Sequence, residues 1–184
     1  MTDSTLSFSF DAALLARAKK IKLLTCDVDG VLTDGRIYFN DDGIESRAFC
    51  AADGLGLKLL IAAGIEVAWI TGSRAKAILH RANVLGVKRV IRNVMDKKTP
   101  WEQLVEDLGL PFEACAHIGD DAPDLPLITG SGLGVTVPNA PPSLRDAAHF
   151  VTRAQGGMGA VREVCDLILS AQNIRFDATM QRSA

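Results

Sequence analysis

An excess of charge of one sign is absent from this chain of 184 residues, and long apolar runs are absent too. The formal net charge is −2, so there is no broad electrostatic attraction to nucleic acid or to an anionic membrane surface. The apolar runs are too short to cross a bilayer. We therefore expect neither nucleic acid nor membrane as a partner, and an anionic ligand would need a local cluster of cations.

Cysteine is scarce and is not arranged for a disulfide framework or a zinc site. The four cysteines, Cys26, Cys50, Cys115 and Cys165, form no C-x-x-C pair, and most stand in apolar stretches. This pattern is typical of reduced, buried thiols in a cytosolic protein. The polar start, residues 1–10, also lacks the cationic and apolar regions of a signal peptide, so we expect a cytoplasmic protein.

A helix is predicted from Leu55 to Ala63, and after it short apolar runs alternate with stretches of helical period. The predicted strands are Glu66–Ile70, Arg89–Ile91, Cys115–Ile118, Leu133–Val137 and Phe150–Val151. The predicted helices between and after them are Arg74–Leu85, Thr99–Leu108, Ala122–Thr129, Ser143–Ala147 and Val161–Ala171. This alternation predicts an α/β fold with a parallel, Rossmann-like sheet in three layers and right-handed crossovers. We expect one domain over residues 1–184, with a frayed tail over 173–184.

The part of the chain before Leu55 has a different pattern. Asp11–Lys20 is predicted to be an amphipathic helix with Asp11 as its N-cap, and Lys22–Cys26 a buried strand. Two short strands, Arg36–Phe39 and Ile44–Phe49, flank a turn rich in Asn, Asp and Gly. They predict a β-hairpin insert, at about 36–49, after the first strand of the sheet.

The first strand ends in two aspartates that are one residue apart. Asp27 and Asp29 are followed by Gly30, and alternation along an extended backbone would turn both carboxylates to one side. Their mutual repulsion favours binding of a hard cation such as Mg²⁺, which prefers oxygen ligands. A metal-bound aspartate at a strand end predicts phosphoryl transfer through an aspartyl phosphate. A surface turn is the alternative, because Asp-x-Asp-Gly is also good turn chemistry.

Groups that suit a phosphate and a metal follow the next three strands of the predicted sheet. They are Thr71, Gly72, Ser73 and Arg74 after the second strand, Lys97 and Lys98 after the third, and Asp120, Asp121 and Asp124 after the fourth. Because ligands of parallel sheets bind beyond the carboxyl ends of the strands, we expect these groups to converge. Taken singly, each could be a helix cap or a solvated charge.

These residue types can divide the work of phosphate ester hydrolysis between them. Asp27 would attack phosphorus, and Asp29 would protonate the leaving oxygen and later take a proton from water. Mg²⁺ held by Asp27, Asp120 and the backbone carbonyl of Asp29 would offset the repulsion between carboxylate and phosphate. Lys97 would neutralise the remaining charge, and Thr71 with the neighbouring N–H groups would hold phosphoryl oxygens.

The order and separation of these groups resemble the four motifs of the haloacid dehalogenase superfamily. The matching segments are Asp27-x-Asp29-Gly, Ile70-Thr71-Gly72, Lys97 and Gly119-Asp120-Asp121-x-x-Asp124. The set spans most of the chain and is highly specific as a combination. In this interpretation Asp121 and Asp124 position metal-bound water or Lys97.

Longer segments resemble the 3-deoxy-D-manno-octulosonate 8-phosphate phosphatases. They are Asp27-Val28-Asp29-Gly30-Val31-Leu32-Thr33-Asp34-Gly35, Asp53-Gly54-x-Gly56, Gly119-Asp120-Asp121-x-x-Asp124-x-Pro126 and Gly156-Gly157-x-Gly159-Ala160-Val161-Arg162-Glu163. This resemblance implies a Mg²⁺-dependent sugar-phosphate phosphatase of lipopolysaccharide biosynthesis that lacks a large cap domain. It implies a homotetramer with the hairpin at its core, in which a neighbouring subunit and the C-terminal segment help close each site. It also places Asp53 and Gly54 among the substrate-binding residues.

Four positions depart from that family's pattern, whereas the catalytic groups keep to it. Ser73 stands where arginine is usual, Leu55 where an aromatic residue is common, Arg92 where glutamine is frequent, and Met158 where a larger polar residue is frequent. The substrate therefore stays open between the eight-carbon acid, a nine-carbon sialic-type acid 9-phosphate and another small sugar phosphate. A diverged binding or regulatory module of the same fold is the non-enzymatic alternative. A receiver-like signalling domain is disfavoured, because its acidic pair and its phosphorylated aspartate come from different strands.

The predicted hairpin carries more apolar surface than a free two-stranded ribbon usually exposes. Its apolar residues are Ile37, Tyr38, Phe39, Ile44 and Phe49. Contact with another subunit would cover this surface and would also shield a water-sensitive intermediate. The alternative is that the hairpin folds back on the chain's own sheet.

A sugar acid also needs cations for its carboxylate, and arginine matches a carboxylate with two hydrogen bonds. The candidates are Arg47, Lys58, Arg74, Arg92, Arg153 and Arg162. The three histidines, His80, His117 and His149, lack the spacing of a metal site, and we assign none a catalytic role. His117 is expected to be packed within its strand.

Overall fold

The computed structural model of the chain describes residues 10–174, in which six parallel strands form one sheet and two more form a hairpin. The strands of the sheet are β1 (Leu23–Cys26), β4 (Glu66–Thr71), β5 (Arg89–Arg92), β6 (Cys115–Gly119), β7 (Leu133–Thr136) and β8 (Phe150–Val151), and those of the hairpin are β2 (Tyr38–Phe39) and β3 (Glu45–Ser46). The order across the sheet is β5-β4-β1-β6-β7-β8. The central strand β1 therefore lies between β4 and β6, and the predicted α/β sheet is confirmed.

Helices cover both faces of this sheet. They are α1 (Ala12–Ala18), α2 (Ala51–Ala62), α3 (Lys76–Leu85), α4 (Lys98–Asp107), α5 (Leu125–Gly130), α6 (Pro142–Ala147) and α7 (Ala160–Ala171), with 3₁₀ turns at Phe112–Ala114 and Ala122–Asp124. Asp11 caps α1 as predicted, since its carboxylate accepts a hydrogen bond of 2.9 Å from the Ala13 backbone N–H.

Successive residues of β1 face two separate apolar cores, as the two-residue period of a strand requires. Leu24 and Cys26 belong to the core that α1, α2, α3 and α7 cover, whereas Leu23 belongs to the core that α4 covers. Every residue of β1 is buried. The molecule thus has the predicted three layers, and β1 is shielded from water along its whole length.

The hairpin strands are shorter than predicted. They comprise Tyr38–Phe39 and Glu45–Ser46 rather than Arg36–Phe39 and Ile44–Phe49. After Ser46 the chain leaves the ladder because its side chains find partners on the main body. Phe49 stacks on Trp69 with ring centroids 6.2 Å apart.

Helix α2 begins four residues before the predicted start at Leu55. The two glycines of its first half conceal the helical period in the sequence. They serve close packing, since a Cβ at Gly56 would lie 3.0 Å from a side-chain carbon of Arg162 in α7. The other predicted boundaries agree with the structure to within two residues.

No helix within residues 10–174 is long and apolar enough to span a bilayer. The predicted tail begins at residue 173, and the structure describes its first two residues. Ile174 donates a backbone hydrogen bond of 2.9 Å to Leu169 and closes the end of α7. The prediction for residues 175–184 lies outside the described part of the chain.

Candidate active site

A cavity of about 250 Å³ opens at the carboxyl ends of four neighbouring strands. Asp27 follows β1, Thr71 ends β4, Lys97 follows β5 and Asp120 follows β6. The lining residues are Asp27, Asp29, Thr71, Gly72, Ser73, Val94, Met95, Lys97, Asp120, Asp121, Pro123 and Asp124. The structure therefore brings most of the predicted site residues together where ligands of parallel sheets bind.

Lys97 links two buried carboxylates at the base of this cavity. Its Nζ lies 2.6 Å from Oδ1 of Asp27 and 2.7 Å from Oδ1 of Asp124. Burial alone would lower the pKa of Lys97, but the charges of Asp27 and Asp124 outweigh it and raise that pKa. Lys97 is thus a stable cation in hydrogen-bond contact with Asp27.

His117 supports this network from within β6. Its Nε2 lies 3.0 Å from Oδ1 of Asp124, and its Nδ1 lies 2.9 Å from Oγ1 of Thr25. Burial lowers the pKa of His117, so the neutral ring donates its Nε2–H to the carboxylate of Asp124. His117 is buried as predicted, but packing is not its whole role, because it holds the partner of Lys97.

Three carboxylates at this position could hold a metal ion. One oxygen each of Asp27, Asp120 and Asp124 lies within 4.8 Å of the others. Burial raises the pKa of Asp27 well above its usual range despite the charge of Lys97, and burial with the charge of Asp124 raises that of Asp120 to about 6. Such shifts indicate that neighbouring cations do not fully compensate the charges of these carboxylates. A divalent cation would supply the missing positive charge. The donor set therefore fits a hard, oxygen-liganded ion.

Gly30 allows the two halves of this acidic cluster to approach each other. Its φ is +93°, and a Cβ at this position would lie 2.0 Å from Oδ2 of Asp120. Only glycine combines this backbone conformation with that contact. Asp27 and Asp29 lie on the same loop, beyond the end of β1, and a turn rather than strand alternation brings both to the cavity.

The turn after β4 presents hydroxyl groups and N–H groups to the cavity. Oγ1 of Thr71, which is buried, accepts a hydrogen bond of 3.1 Å from the Ser73 N–H. The hydroxyl proton of Thr71 therefore points elsewhere and is free to serve an anion. On the opposite wall, the exposed carboxylate of Asp121 accepts a hydrogen bond of 2.7 Å from the Ala122 N–H, so it caps a 3₁₀ turn while lining the cavity.

Asp29 contacts a cation that comes from the hairpin. Nε of Arg47 lies 2.5 Å from Oδ1 of Asp29, and Nη2 of Arg47 lies 3.3 Å from Oδ2. The same Nη2 donates a hydrogen bond of 3.0 Å to Oγ of Ser73. The side chain of Asp29 is therefore held away from the acidic cluster of Asp27, Asp120 and Asp124.

Three residues predicted to bind substrate lie outside the cavity. Asp53 is buried in α2, where its carboxylate accepts a hydrogen bond of 2.8 Å from the Arg162 N–H at the start of α7. Gly54 follows it in the same helix, facing Arg81. Nε of Arg74 donates to Oδ1 of Asn93 at 2.6 Å. Asp53 thus caps a helix and does not line the cavity of the single chain, and its role in substrate binding stays a prediction.

Sequence reasoning missed His117, Val94, Met95 and Pro123. No local signal marks His117, since its contact with Asp124 depends on the turn that follows β6, and its contact with Thr25 depends on the pairing of β6 with β1. Val94 and Met95 precede Lys97 in the loop after β5, so their place in the cavity could have been found from the same strand-end rule.

A family comparison agrees with this site. The sequence model of the haloacid dehalogenase-like hydrolases matches residues 86–163, which include Lys97 and the Asp120–Asp124 loop. Among curated proteins, the 3-deoxy-D-manno-octulosonate 8-phosphate phosphatase KdsC of Yersinia pestis is 48% identical over 166 residues, covering 90% of this chain and 89% of that protein. KdsC of Escherichia coli strain K12 is 44% identical over 161 residues, covering 88% of this chain and 86% of that one.

A solved structure shows the same fold. It is the 3-deoxy-D-manno-octulosonate 8-phosphate phosphatase of Moraxella catarrhalis in complex with a magnesium ion, a phosphate ion and a KDO molecule. The identity is 44%, the TM-score is 0.87, and the match covers 93% of this chain and 98% of that one. The chain thus belongs to the family of 3-deoxy-D-manno-octulosonate 8-phosphate phosphatases, within the haloacid dehalogenase-like hydrolases.

Proposed function

We propose that this protein is a Mg²⁺-dependent phosphatase that hydrolyses 3-deoxy-D-manno-octulosonate 8-phosphate. The observation that carries the proposal is the placement of Asp27, which is nine-tenths or more buried, within 2.6 Å of Lys97 and beside Asp120 at the carboxyl end of the sheet. An oriented carboxylate with a fixed cation and an acidic neighbour suits attack on phosphorus. The relatives named above support the sugar-acid substrate.

Asp27, Asp120 and the backbone carbonyl of Asp29 are the groups that would hold Mg²⁺. When bound, the ion supplies charge neutralisation for the phosphate and for the crowded carboxylates. Asp124 lies in the same cluster, but its Oδ1 already accepts from Lys97 and His117. We therefore assign Asp124 to the positioning of Lys97 rather than to the metal.

In the first step a carboxylate oxygen of Asp27 attacks phosphorus, and the bond between phosphorus and the sugar oxygen breaks. Asp29 gives its proton to that leaving oxygen, so the sugar acid departs as an alcohol. Lys97 and the hydroxyl group of Thr71, together with the N–H group of Gly72, stabilise the charge on the phosphoryl oxygens. The product on the enzyme is an aspartyl phosphate at Asp27.

In the second step water attacks the aspartyl phosphate and gives one proton to Asp29. The bond between phosphorus and the Asp27 oxygen breaks, which restores the carboxylate and releases inorganic phosphate. Asp29 thereby regains the proton that it gave up in the first step, so the cycle closes. The two steps need Asp29 at one place, within reach of the leaving oxygen and then of water.

The experiment that tests this function is phosphate release with Mg²⁺ from a panel of substrates. The panel contains the eight-carbon acid 8-phosphate, nine-carbon sialic-type 9-phosphates and simple hexose phosphates. Preference for the eight-carbon acid is expected. Preference for a nine-carbon acid would leave the proposed reaction intact but change the assigned substrate. The departures from the family pattern at Leu55, Ser73 and Arg92 make this outcome worth testing. Release from none of them would favour the diverged binding module.

The Asp27→Asn variant tests the nucleophile. Its turnover is expected to fall by about 10⁴-fold or more, because no other group in the cavity can replace the attacking oxygen. Circular dichroism should show an unchanged fold. Asp146→Asn, at an exposed position in α6, is the matched control and is expected to keep full activity. Substantial turnover by Asp27→Asn would contradict the covalent mechanism.

The assembly, the compartment and the domain organisation are further proposals. The hairpin supports a homotetramer, because its side chains of Ile37, Phe39 and Ile44 are 50–68% exposed in the single chain. The pattern of the four cysteines, all of them free thiols, supports a cytoplasmic location. The six-stranded sheet, to which strands from β1 to β8 contribute, supports one domain for the chain.

A further inference from the structure

We propose that Arg47 is a positioning residue, which anchors the acid–base carboxylate of Asp29 and occupies the space that Ser73 leaves free. This inference rests on the proposed function, in which Asp29 exchanges a proton with the leaving oxygen and with water. It adds a residue of the hairpin to the machinery of the site.

The contacts of Arg47 with Asp29 are unequal. Nε donates to Oδ1 at close range, whereas the Nη2–Oδ2 distance of 3.3 Å is long. One carboxylate oxygen is therefore anchored, and the other is held loosely beside the cavity. A general acid needs this arrangement, since a proton can move only through an oxygen that is oriented but not fully engaged.

The charges around Arg47 argue against a role as the anchor for the substrate's carboxylate. Its guanidinium contacts Asp29 and also forms an ion pair with Glu45, so two carboxylates already surround one cation. The side chain of Arg47 is only 2% exposed. A substrate carboxylate would have to displace a buried ion pair, which makes positioning of Asp29 the better-supported role.

Ser73 completes the arrangement because it is short. Its Oγ accepts hydrogen bonds from Nη2 of Arg47 at 3.0 Å and from the Ala75 N–H at 3.2 Å. The chain of contacts from Asp29 through Arg47 to Ser73 thus joins the loop after β1, the hairpin and the turn after β4. An arginine at position 73 would place a second guanidinium where that of Arg47 lies. The long side chain of Arg47 and the short side chain of Ser73 therefore depend on each other, and we call them a matched pair.

The first test replaces Arg47 by methionine, which keeps an unbranched apolar stem in place and removes the guanidinium donors. With the sugar-acid phosphate, Arg47→Met is expected to lower kcat by about 10- to 100-fold and to change KM by less than about threefold. Arg47→Lys is expected to recover part of the loss, because an ammonium can donate to the anchored oxygen. A rise in KM with unchanged kcat would overturn the proposal in favour of substrate binding.

A second readout separates positioning from general damage. p-Nitrophenolate leaves without needing a proton, so the first step with p-nitrophenyl phosphate does not depend on Asp29, whereas hydrolysis of the aspartyl phosphate still does. Arg47→Met is therefore expected to give a burst of p-nitrophenol followed by slow turnover, and a trapped aspartyl phosphate. If both the burst and the steady turnover were lost, the proposal would be overturned, because the defect would then lie in the first step, at Asp27.

Two controls complete the design. Arg36→Met lies in the same hairpin, with a side chain that is 78% exposed, and is expected to behave as wild type. Ser73→Arg is expected to lower kcat about tenfold on its own and to restore activity partly in combination with Arg47→Met, as for residues that share one space. Additive losses would overturn the matched pair. Inactive wild-type protein would instead refute the proposed function, so the two failures are distinguishable.

Discussion

Lys97 is the residue on which the buried charges of the site depend most. Its ammonium is the cation within hydrogen-bond distance of both Asp27 and Asp124. Removing one partner of a buried ion pair leaves the other charge uncompensated, at a cost of about 3 kcal/mol. We expect Lys97→Met to lower the free energy of unfolding by that amount and to lower kcat by at least about 100-fold. Urea denaturation and phosphate release measure the two effects.

Lys98→Met is the matched control for this prediction. Lys98 is the next residue, and it is exposed, with a distance of 3.7 Å to Glu102 one helical turn away. Exposed pairs of this kind contribute about 0.5 kcal/mol at most. If Lys97→Met loses activity but keeps the stability of Lys98→Met, the buried network is not a stabilising element, and the role of Lys97 is confined to the reaction.

The raised pKa of Asp120 predicts how the effect of Mg²⁺ on stability depends on pH. Its pKa is raised from 3.8 to about 6, by burial first and then by the charge of Asp124. A carboxyl group whose pKa is higher in the folded state stabilises the fold below its unfolded pKa, and this stabilisation is lost as the pH rises through the folded value. The metal-free protein should therefore lose stability between about pH 4 and about pH 6, and Asp27, with its raised pKa, acts in the same direction.

Because Mg²⁺ binds the ionised carboxylates, its stabilising effect should grow over the same range. The measurement is the melting temperature with and without Mg²⁺ as a function of pH. A shift that is small near pH 4.5 and large above about pH 6.5 is expected. In Asp120→Asn this dependence should largely disappear. A metal effect that is equally large at both ends of the range would contradict the assignment of Asp120.

At the scale of residues, the sequence predicts the site residues that directly follow a strand. It does not predict those whose contacts depend on tertiary structure. Asp27, Lys97 and Asp120 could be found because each lies just after an apolar run, where a parallel sheet collects ligands. His117 lies inside a strand, and its contact with Asp124 depends on the position of the 3₁₀ turn that follows. Arg47 was foreseen only as one of six candidate cations, because the fold of a hairpin onto the sheet cannot be read from local pattern.

At the scale of elements, helices α2 and α7 are tied together by Asp53. Its carboxylate accepts from the N–H of Arg162 in the first turn of α7, where N–H groups lack partners within the helix. Asp53→Ala is expected to lower the free energy of unfolding by about 1–2 kcal/mol, as for the loss of an N-cap, and to leave KM within about twofold of wild type. Thermal denaturation and steady-state kinetics measure both.

Asp166→Ala is the control for this element, because Asp166 pairs with Arg162 on the exposed face of α7. It is expected to change stability by less than about 0.5 kcal/mol. If Asp53→Ala raises KM strongly without loss of stability, the substrate-binding role implied by the family resemblance is right, and capping is secondary.

The elements whose boundaries were predicted wrongly share one physical cause, which is that tertiary contacts outweigh local conformational preference. Gly54 and Gly56 argue against a helix locally, yet α2 forms through them because α3 packs closely at Gly54 and α7 at Gly56. Phe49 continues an alternating pattern, but stacking on Trp69 takes it out of the hairpin ladder. The type and order of the elements were predictable from period, and these boundaries were not.

At the scale of the whole molecule, the hairpin links the candidate site to the surface through which subunits would contact each other. Phe39 and Ile44 are 68% and 63% exposed, although Arg47 of the same hairpin reaches Asp29. One face of the hairpin therefore contacts the candidate site, and the other is exposed in the single chain. Contact between subunits through this face would hold Arg47, and through it Asp29, in place.

The double variant Phe39→Lys/Ile44→Lys tests this dependence. In the proposed assembly these two side chains would be buried between subunits and would each contribute about 1.5 kcal/mol. Their removal is therefore expected to weaken assembly by about 100-fold or more. Sedimentation velocity should show smaller species, and kcat should fall with dissociation and recover at high protein concentration. Asp41→Lys, in the turn of the same hairpin, adds charge without removing apolar surface and should keep both assembly and activity. Full activity in a dissociated variant would mean that each chain holds Arg47 against Asp29 unaided, and would confine the role of assembly to stability.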